Sequence, residues 1–223
     1  MHSYFVIFPH AGAIRSNYAL IEREEAKTSD VIYVDYSEHI GSANTFDHFI
    51  ESIWFFLNEK ITDKNADVYI FAHSMGNSVV QALESRLVSQ YYISKIIYSD
   101  GEVISDIKNT GITNKSKNEI NMIIDEEYDI PEAVKQNDDL YHFFQKRLVQ
   151  DISIMDLIPE YMSKIKKISL TGEVQRVIAL SKYMNREKTI SQWDKVCDNQ
   201  QYVYVDGGHY TILSDFSKYV VTN

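Results

Sequence analysis

A chain of 223 residues, 44% of them hydrophobic, is long enough to bury one core, and it holds no apolar run approaching the ~18 residues of a membrane span. A net charge of −10 repels a phosphate backbone and excludes a basic nucleic-acid-binding surface. One cysteine, Cys197, excludes an internal disulfide, and no CxxC pair or histidine cluster has the spacing of metal ligands, so no metal is expected.

The amino-terminal MHSYFVIFPHAG has no basic leader and no small-residue cleavage site, so it reads as a first strand, YFVIF at 4–8, in a cytoplasmic protein. Further strands are predicted at VIYVDY (31–36), VYIFA (68–72), KIIYSD (95–100), KKISL (166–170) and QYVYV (201–205). Helical spacing fills the gaps, as in Phe46, Phe49, Ile50, Ile53, Trp54 and Leu57, and again in Val79, Val80, Leu83, Leu87 and Val88. Strand alternating with helix, most strands being apolar on both faces, predicts an α/β fold: a parallel sheet with helices on both faces and ligands at the strand carboxyl ends. Residues 101–164 are too many for a plain crossover. With their own pattern at Leu140, Phe143, Phe144 and Leu148, they are expected to form a helical lid after the fourth strand. No repeat, linker or composition shift divides the chain, so 1–223 reads as one domain and a monomer is expected. The acidic cluster Asp125, Glu126, Glu127 and Asp129 reads as a solvated face.

Three short stretches carry chemistry. In VYIFAHSMG, Ser74 follows a strand and stands between the small residues Ala72 and Gly76, the pattern of a strand-to-helix turn that lifts a nucleophilic hydroxyl above the sheet. The helix starting near Met75 offers that residue's N–H to a developing oxyanion. In VDGGHYTIL, His209 follows the last strand and a Gly-Gly turn, where an imidazole can return to the serine as general base. In FPHAG, the loop after the first strand offers the N–H of Ala11 as a second oxyanion donor, and His10 and His73 are candidates to line the substrate site.

In this order and at these separations, FPHAG, AHSMG and DGGHY resemble the external, type II thioesterases of nonribosomal peptide and polyketide synthesis, members of the α/β-hydrolase superfamily. The segment from 130 to 161 resembles that family's lid, with Pro131, Arg147 and Asp151 at its recurrent positions. The resemblance implies an α/β-hydrolase fold and hydrolysis of acyl or aminoacyl thioesters from the phosphopantetheine arm of a carrier protein, with no bound cofactor. The departure is at the triad acid: the family's aspartate, three residues past the glycine ending the fifth strand, corresponds to Gln175. Two carboxylates could replace it, Asp100 at the end of the fourth strand, which we favour, and Glu173. The acidic chain and acidic carrier must meet through a local patch, such as Lys164, Lys166 and Lys167, or Lys146 and Arg147. The same serine could alternatively serve a small-ester hydrolase or an acyltransferase, or the fold could be a catalytically impaired carrier-binding module.

Overall fold

Strands with no polar face need cover on both sides, and Ser3–Phe8 (β1), buried at all six positions, is such a strand. A computed structural model describes residues 2–41, 43–127, 130, 132–165, 168–170, 172–182 and 184–219. With β1, the strands Asp30–Tyr33 (β2), Asp67–His73 (β3), Tyr92–Ser99 (β4), Gln175–Ser181 (β5) and Gln200–Val205 (β6) form one sheet in the order β2-β1-β3-β4-β5-β6. Every neighbouring pair is parallel.

The first half of the chain contributes helices Ala19–Glu25 (α1), Ser37–Ile40 (α2), Phe46–Lys60 (α3) and Met75–Gln90 (α4). Between β4 and β5 come Lys117–Glu127 (α5), Glu132–Lys135 (α6), Asp138–Met155 (α7) and Ile158–Ile165 (α8); Arg186–Trp193 (α9), Thr211–Ser214 (α10) and Phe216–Tyr219 (α11) complete the order. Side-chain acceptors start α3 and α7: Thr45 takes the His48 N–H at the head of α3, and Asn137 takes that of Leu140 at the head of α7.

Alternation along the strands divides the core in two. Val6, Phe8, Ile70, Ala72, Ile96 and Tyr98 face one layer with α3, α4 and the helical segment after β4, whereas Phe5, Ile7, Phe71, Ile97 and Ala179 face Tyr18, Ile21, Leu213 and Phe216. The expected apolar stripe of α3 is buried at Phe46, Phe49, Ile50, Ile53 and Leu57. That of α7 is not wholly buried: Leu148 is inside, but Leu140 and Phe143 are each 51% exposed.

The fifth strand differs from expectation. Lys166 and Lys167 of KKISL lie outside the described residues, as does Pro131, and Leu170 forms only an isolated bridge with Cys197. The strand is QRVIALS, hidden from a hydropathy reading by Arg176 in its interior, and the segment between β4 and β5 therefore runs to 174 rather than 164. Arg176 is fully buried because Glu84 on α4 pairs with it, at 2.5 Å from Nη2 and 3.0 Å from Nε, and Tyr98 on β4 donates to the same carboxylate. A charge enters a strand interior only with such a partner.

Helix α4 sits unusually close to the sheet. A Cβ on Gly76 would lie 2.2 Å from the carbonyl oxygen of Phe8 and 2.8 Å from its carbon, so α4 rests on the backbone of β1 itself. Gly76→Ala is expected to cost about 1–3 kcal/mol of stability, the range of an overpacked core, and to displace the turn before α4; chemical denaturation and turnover measured on the same preparation check both.

Candidate active site

The turn between β3 and α4 places Ser74 at φ 54° and ψ −112°, a left-handed conformation costly for a residue with a Cβ. Hydrogen bonds on both sides hold it: the Ser74 N–H donates to Ser99 O at 2.8 Å, and its carbonyl accepts the Asn77 N–H at 3.0 Å. The partly exposed side chain opens into a cleft of about 380 Å³ that Ala11, Met75, Ile107, Lys108, Ile152, Met155 and Lys188 also line. Met75 is the first residue of α4, and first-turn amides have no acceptor within their own helix. Ala11 and Met75, the expected oxyanion donors, thus share the cleft of Ser74.

The carboxylate of Asp100 lies at the carboxyl end of β4. Its backbone is also left-handed, at φ 45°, and its N–H donates to Ala179 O at 3.0 Å. One carboxylate oxygen accepts the Ser181 N–H at 2.6 Å, and the other stands 3.4 Å from Nδ1 of His209. Pinning one oxygen to the end of β5 aims the second at the imidazole, and this contact favours the Nδ1–H tautomer, leaving Nε2 free to accept a proton. The Gly-Gly turn delivers that ring: the Gly207 carbonyl accepts the Lys182 N–H, and a Cβ on Gly207 would lie 2.0 Å from Thr211 Oγ1. The ring of His209 lies 4.6 Å from that of His73, the residue before Ser74.

Glu173 lies at the amino end of β5, away from His209's partner. It precedes β5, whereas Asp100 binds the far end of that strand; seven residues at ~3.3 Å each put the two ends roughly 20 Å apart. Gln175 is the first residue of β5 and not a loop residue beyond a strand. Residues 182 to 185, which do follow β5, include no carboxylate, and Met184 and Asn185 face the cleft beside Ser74 and Asp100.

The two other histidines separate. His10 lines an apolar cavity of about 360 Å³ with Leu20, Phe143, Phe144, Tyr210 and Leu213, adjoining the site. His73, expected to line the substrate site, is instead fully buried at the end of β3, stacked on Phe71 at 6.2 Å with its Nδ1 3.1 Å from Ser99 Oγ. Sequence reasoning did not find Tyr18, whose hydroxyl accepts the His10 N–H at 2.9 Å and lies 2.7 Å from His10 Nδ1, fixing the ring proton on Nε2. Burial, reinforced by His209, lowers the His10 pKa to about 3, and burial with its two histidine neighbours holds His73 well below its ordinary value. Both rings are neutral when folded and protonate near 6.5 when unfolded, so their stabilisation is complete above about pH 6.5 and is lost as the pH falls below it. The thermal midpoint should therefore drop between about pH 7 and pH 5, and the drop should be smaller in His10→Gln. Differential scanning fluorimetry across that range checks it.

Among the described residues, no group of three or more His, Cys, Asp or Glu side chains is arranged to hold a metal ion, and no helix is long and apolar enough to cross a membrane. No protein-family model and no curated protein sequence matches this chain. Solved structures do. The type II thioesterase BorB from the borrelidin biosynthetic cluster aligns with a TM-score of 0.74 at 15% identity, covering 98% of this chain and 89% of that one. RedJ, a thioesterase of the prodiginine pathway in Streptomyces coelicolor, gives 0.73 at 13% identity over 97% and 85%. A lipase-esterase related protein from Clostridium acetobutylicum gives 0.64 at 13% over 98% and 94%. At such identities the likeness is one of backbone, and the parallel sheet, the turn at Ser74 and the histidine after the last strand give this chain the α/β-hydrolase fold, in a form similar to that of type II thioesterases.

Proposed function

We propose that this protein is a serine thioesterase that hydrolyses acyl or aminoacyl thioesters from the phosphopantetheine arm of carrier proteins in nonribosomal peptide or polyketide synthesis. The observation that carries the proposal is the Asp100 carboxylate, locked by the Ser181 N–H and directed at Nδ1 of His209 next to the Ser74 turn. An isolated aspartate at a turn needs no such second anchor, and a buried carboxylate facing an imidazole stabilises its cationic form.

In the proposed reaction Ser74 Oγ attacks the thioester carbonyl while Nε2 of His209 takes its proton. The N–H groups of Ala11 and Met75 hold the oxyanion, which is worth about 3 kcal/mol per donor in comparable sites. Collapse breaks the C–S bond, the imidazolium protonates the departing pantetheine thiolate, and water activated by the same histidine then attacks the acyl-serine. Asp100 keeps His209 in the required tautomer throughout and offsets its charge. No step requires a metal or cofactor.

The carrier would approach a protein of its own sign of charge, so local contacts matter more than long-range attraction. Arg147 is a poor candidate for them, because its side chain is only 14% exposed and its guanidinium pairs with Asp35 at 2.8 Å. Lys164 is paired with Glu160 at 3.0 Å. Lys108 and Lys188 line the cleft of Ser74, Lys188 standing 3.8 Å from Glu102, and there they would meet the phosphodiester of a phosphopantetheine arm. The helices between β4 and β5 would then act as the lid over the acyl group.

The test is thiol release from acyl-loaded carrier protein. Ser74→Ala should abolish turnover, and Asp100→Asn should lower kcat by about 10^4, as loss of the acid does in serine triads, whereas Glu173→Gln should leave it unchanged. Wild-type-like turnover by Asp100→Asn would remove Asp100 from the mechanism. An acylated Ser74 that persists until an amine or alcohol is added would convert the assignment from hydrolase to transferase.

A further inference from the structure

Helix α7 reaches down to the loop that follows β1. Its residues Phe144, Leu148 and Asp151 share one helical face, and that face packs on Gly12: a Cβ there would lie 3.1 Å from Phe144 Cε2 and 3.3 Å from Leu148 Cβ. Gly12 itself adopts φ 78°, and its N–H donates to Asp151 Oδ2 at 2.7 Å. Gly12 directly follows Ala11, which lines the cleft with Ser74 and Met75. A carboxylate 3% exposed, lying 139 residues away in sequence, thus fixes the peptide next to the expected oxyanion donor.

We propose that Asp151 is a positioning residue for the oxyanion loop: by holding the Gly12 N–H, it keeps the Ala11 N–H turned toward Ser74 and makes catalysis depend on the docking of α7. This extends the thioesterase reading and rests on Ser74 being the nucleophile. The torsions of Ala11 set the angle between its own N–H and that of Gly12, so an acceptor that fixes the second also limits the first, and the left-handed Gly12 turns the chain onward beneath α7. Without the carboxylate, the Gly12 amide loses its acceptor, and the peptide that carries the Ala11 N–H keeps only the 3.3 Å bond from the Ala13 N–H to its carbonyl, that of His10.

The surroundings make this contact responsive to pH. Burial raises the carboxyl of Asp151 to about 7, against the Gly12 hydrogen bond and Arg147, which lower it, and with Asp35, which raises it further. Tyr33 and Tyr36 also feel its charge, and burial keeps both hydroxyls protonated. A carboxyl raised in the folded state favours folding when protonated, so its contribution falls as the pH rises from about 4 to 7. Ionisation in the folded state, centred near pH 7, strengthens its hold on the Gly12 N–H. Asp151 therefore loosens the fold slightly in the condition in which it grips the loop best.

The experiment pairs kinetics with the Gly12 amide resonance. Asp151→Ala should lower kcat by about ten- to a hundredfold, part of the effect of losing an oxyanion donor outright, with KM within about threefold, and Asp151→Asn, which still offers an oxygen to Gly12, should recover most of it. In the wild type the Gly12 amide should titrate with a midpoint near 7, and in Asp151→Asn that titration should vanish. Turnover of Asp151→Ala within twofold of wild type, or a raised KM at unchanged kcat, would overturn the proposal. So would a Gly12 titration persisting in Asp151→Asn, since a group other than Asp151 would then be its source. If Asp151→Ala does not fold, the asparagine variant and the amide titration decide. If wild type hydrolyses no thioester, the functional assignment fails, and the amide titration still tests the clamp.

Discussion

The contact between the first turn of α4 and the backbone of β1 governs the rest of the site. Gly76 lets the helix rest on the Phe8 carbonyl, with no room for even a methyl group, and that depth forces the chain from β3 to α4 through the left-handed conformation of Ser74. Strain of this kind, about 1–3 kcal/mol, persists only where the surroundings leave no alternative. Here the bonds from Ser74 to Ser99 and from Asn77 to Ser74 supply the constraint. The Asn77 amide in turn lies where a Cβ on Gly101 would be, 2.0 Å away, so the turn after β4 is shaped by the same helix. One packing decision therefore sets the backbone beside both Ser74 and Asp100.

Charge placement follows from burial. The interior accepts Arg176 because Glu84 and Tyr98 meet it, and this network ties α4 to β4 and β5, the strands whose ends hold Asp100 and its Ser181 anchor. The histidines behind the turn are handled differently, by exclusion of the proton. His10 and His73 stay neutral through desolvation, whereas His209 is one-third exposed and faces Asp100.

Beside the cleft of Ser74, an apolar cavity lies between the loop after β1 and helices α6 and α7, lined by His10 and Tyr210 among others. The half-exposed Leu140 and Phe143 line it, which explains why the apolar stripe of α7 is longer than its buried face. Among its contacts, the helix covers this cavity with apolar side chains, meets Gly12 through Asp151 and Leu148, and pairs Arg147 with Asp35.

Much of this organisation is local in origin and so was legible in the sequence. Apolar runs bounded by turns mark β1, β3, β4 and β6; three- and four-residue spacing marks α3 and α4; and small residues around Ser74 and before His209 mark backbone that must turn or pass closely. What escaped was whatever depends on partners far along the chain. The strand at 175–181 was obscured by Arg176, whose burial makes sense only once Glu84 is known to lie against it. His73 seemed available to substrate until the tertiary packing enclosed it. Between Asp100 and Glu173 the sequence favoured one acid without excluding the other, because it records neither the direction of β5 nor the Ser181 N–H that aims the carboxylate. The sequence by itself determined which backbone could bend and which segments had to be covered. Which carboxylate reaches the imidazole, and which helix holds the loop beside Ser74, was decided only by folding, since both rest on contacts between residues about 80 to 140 positions apart.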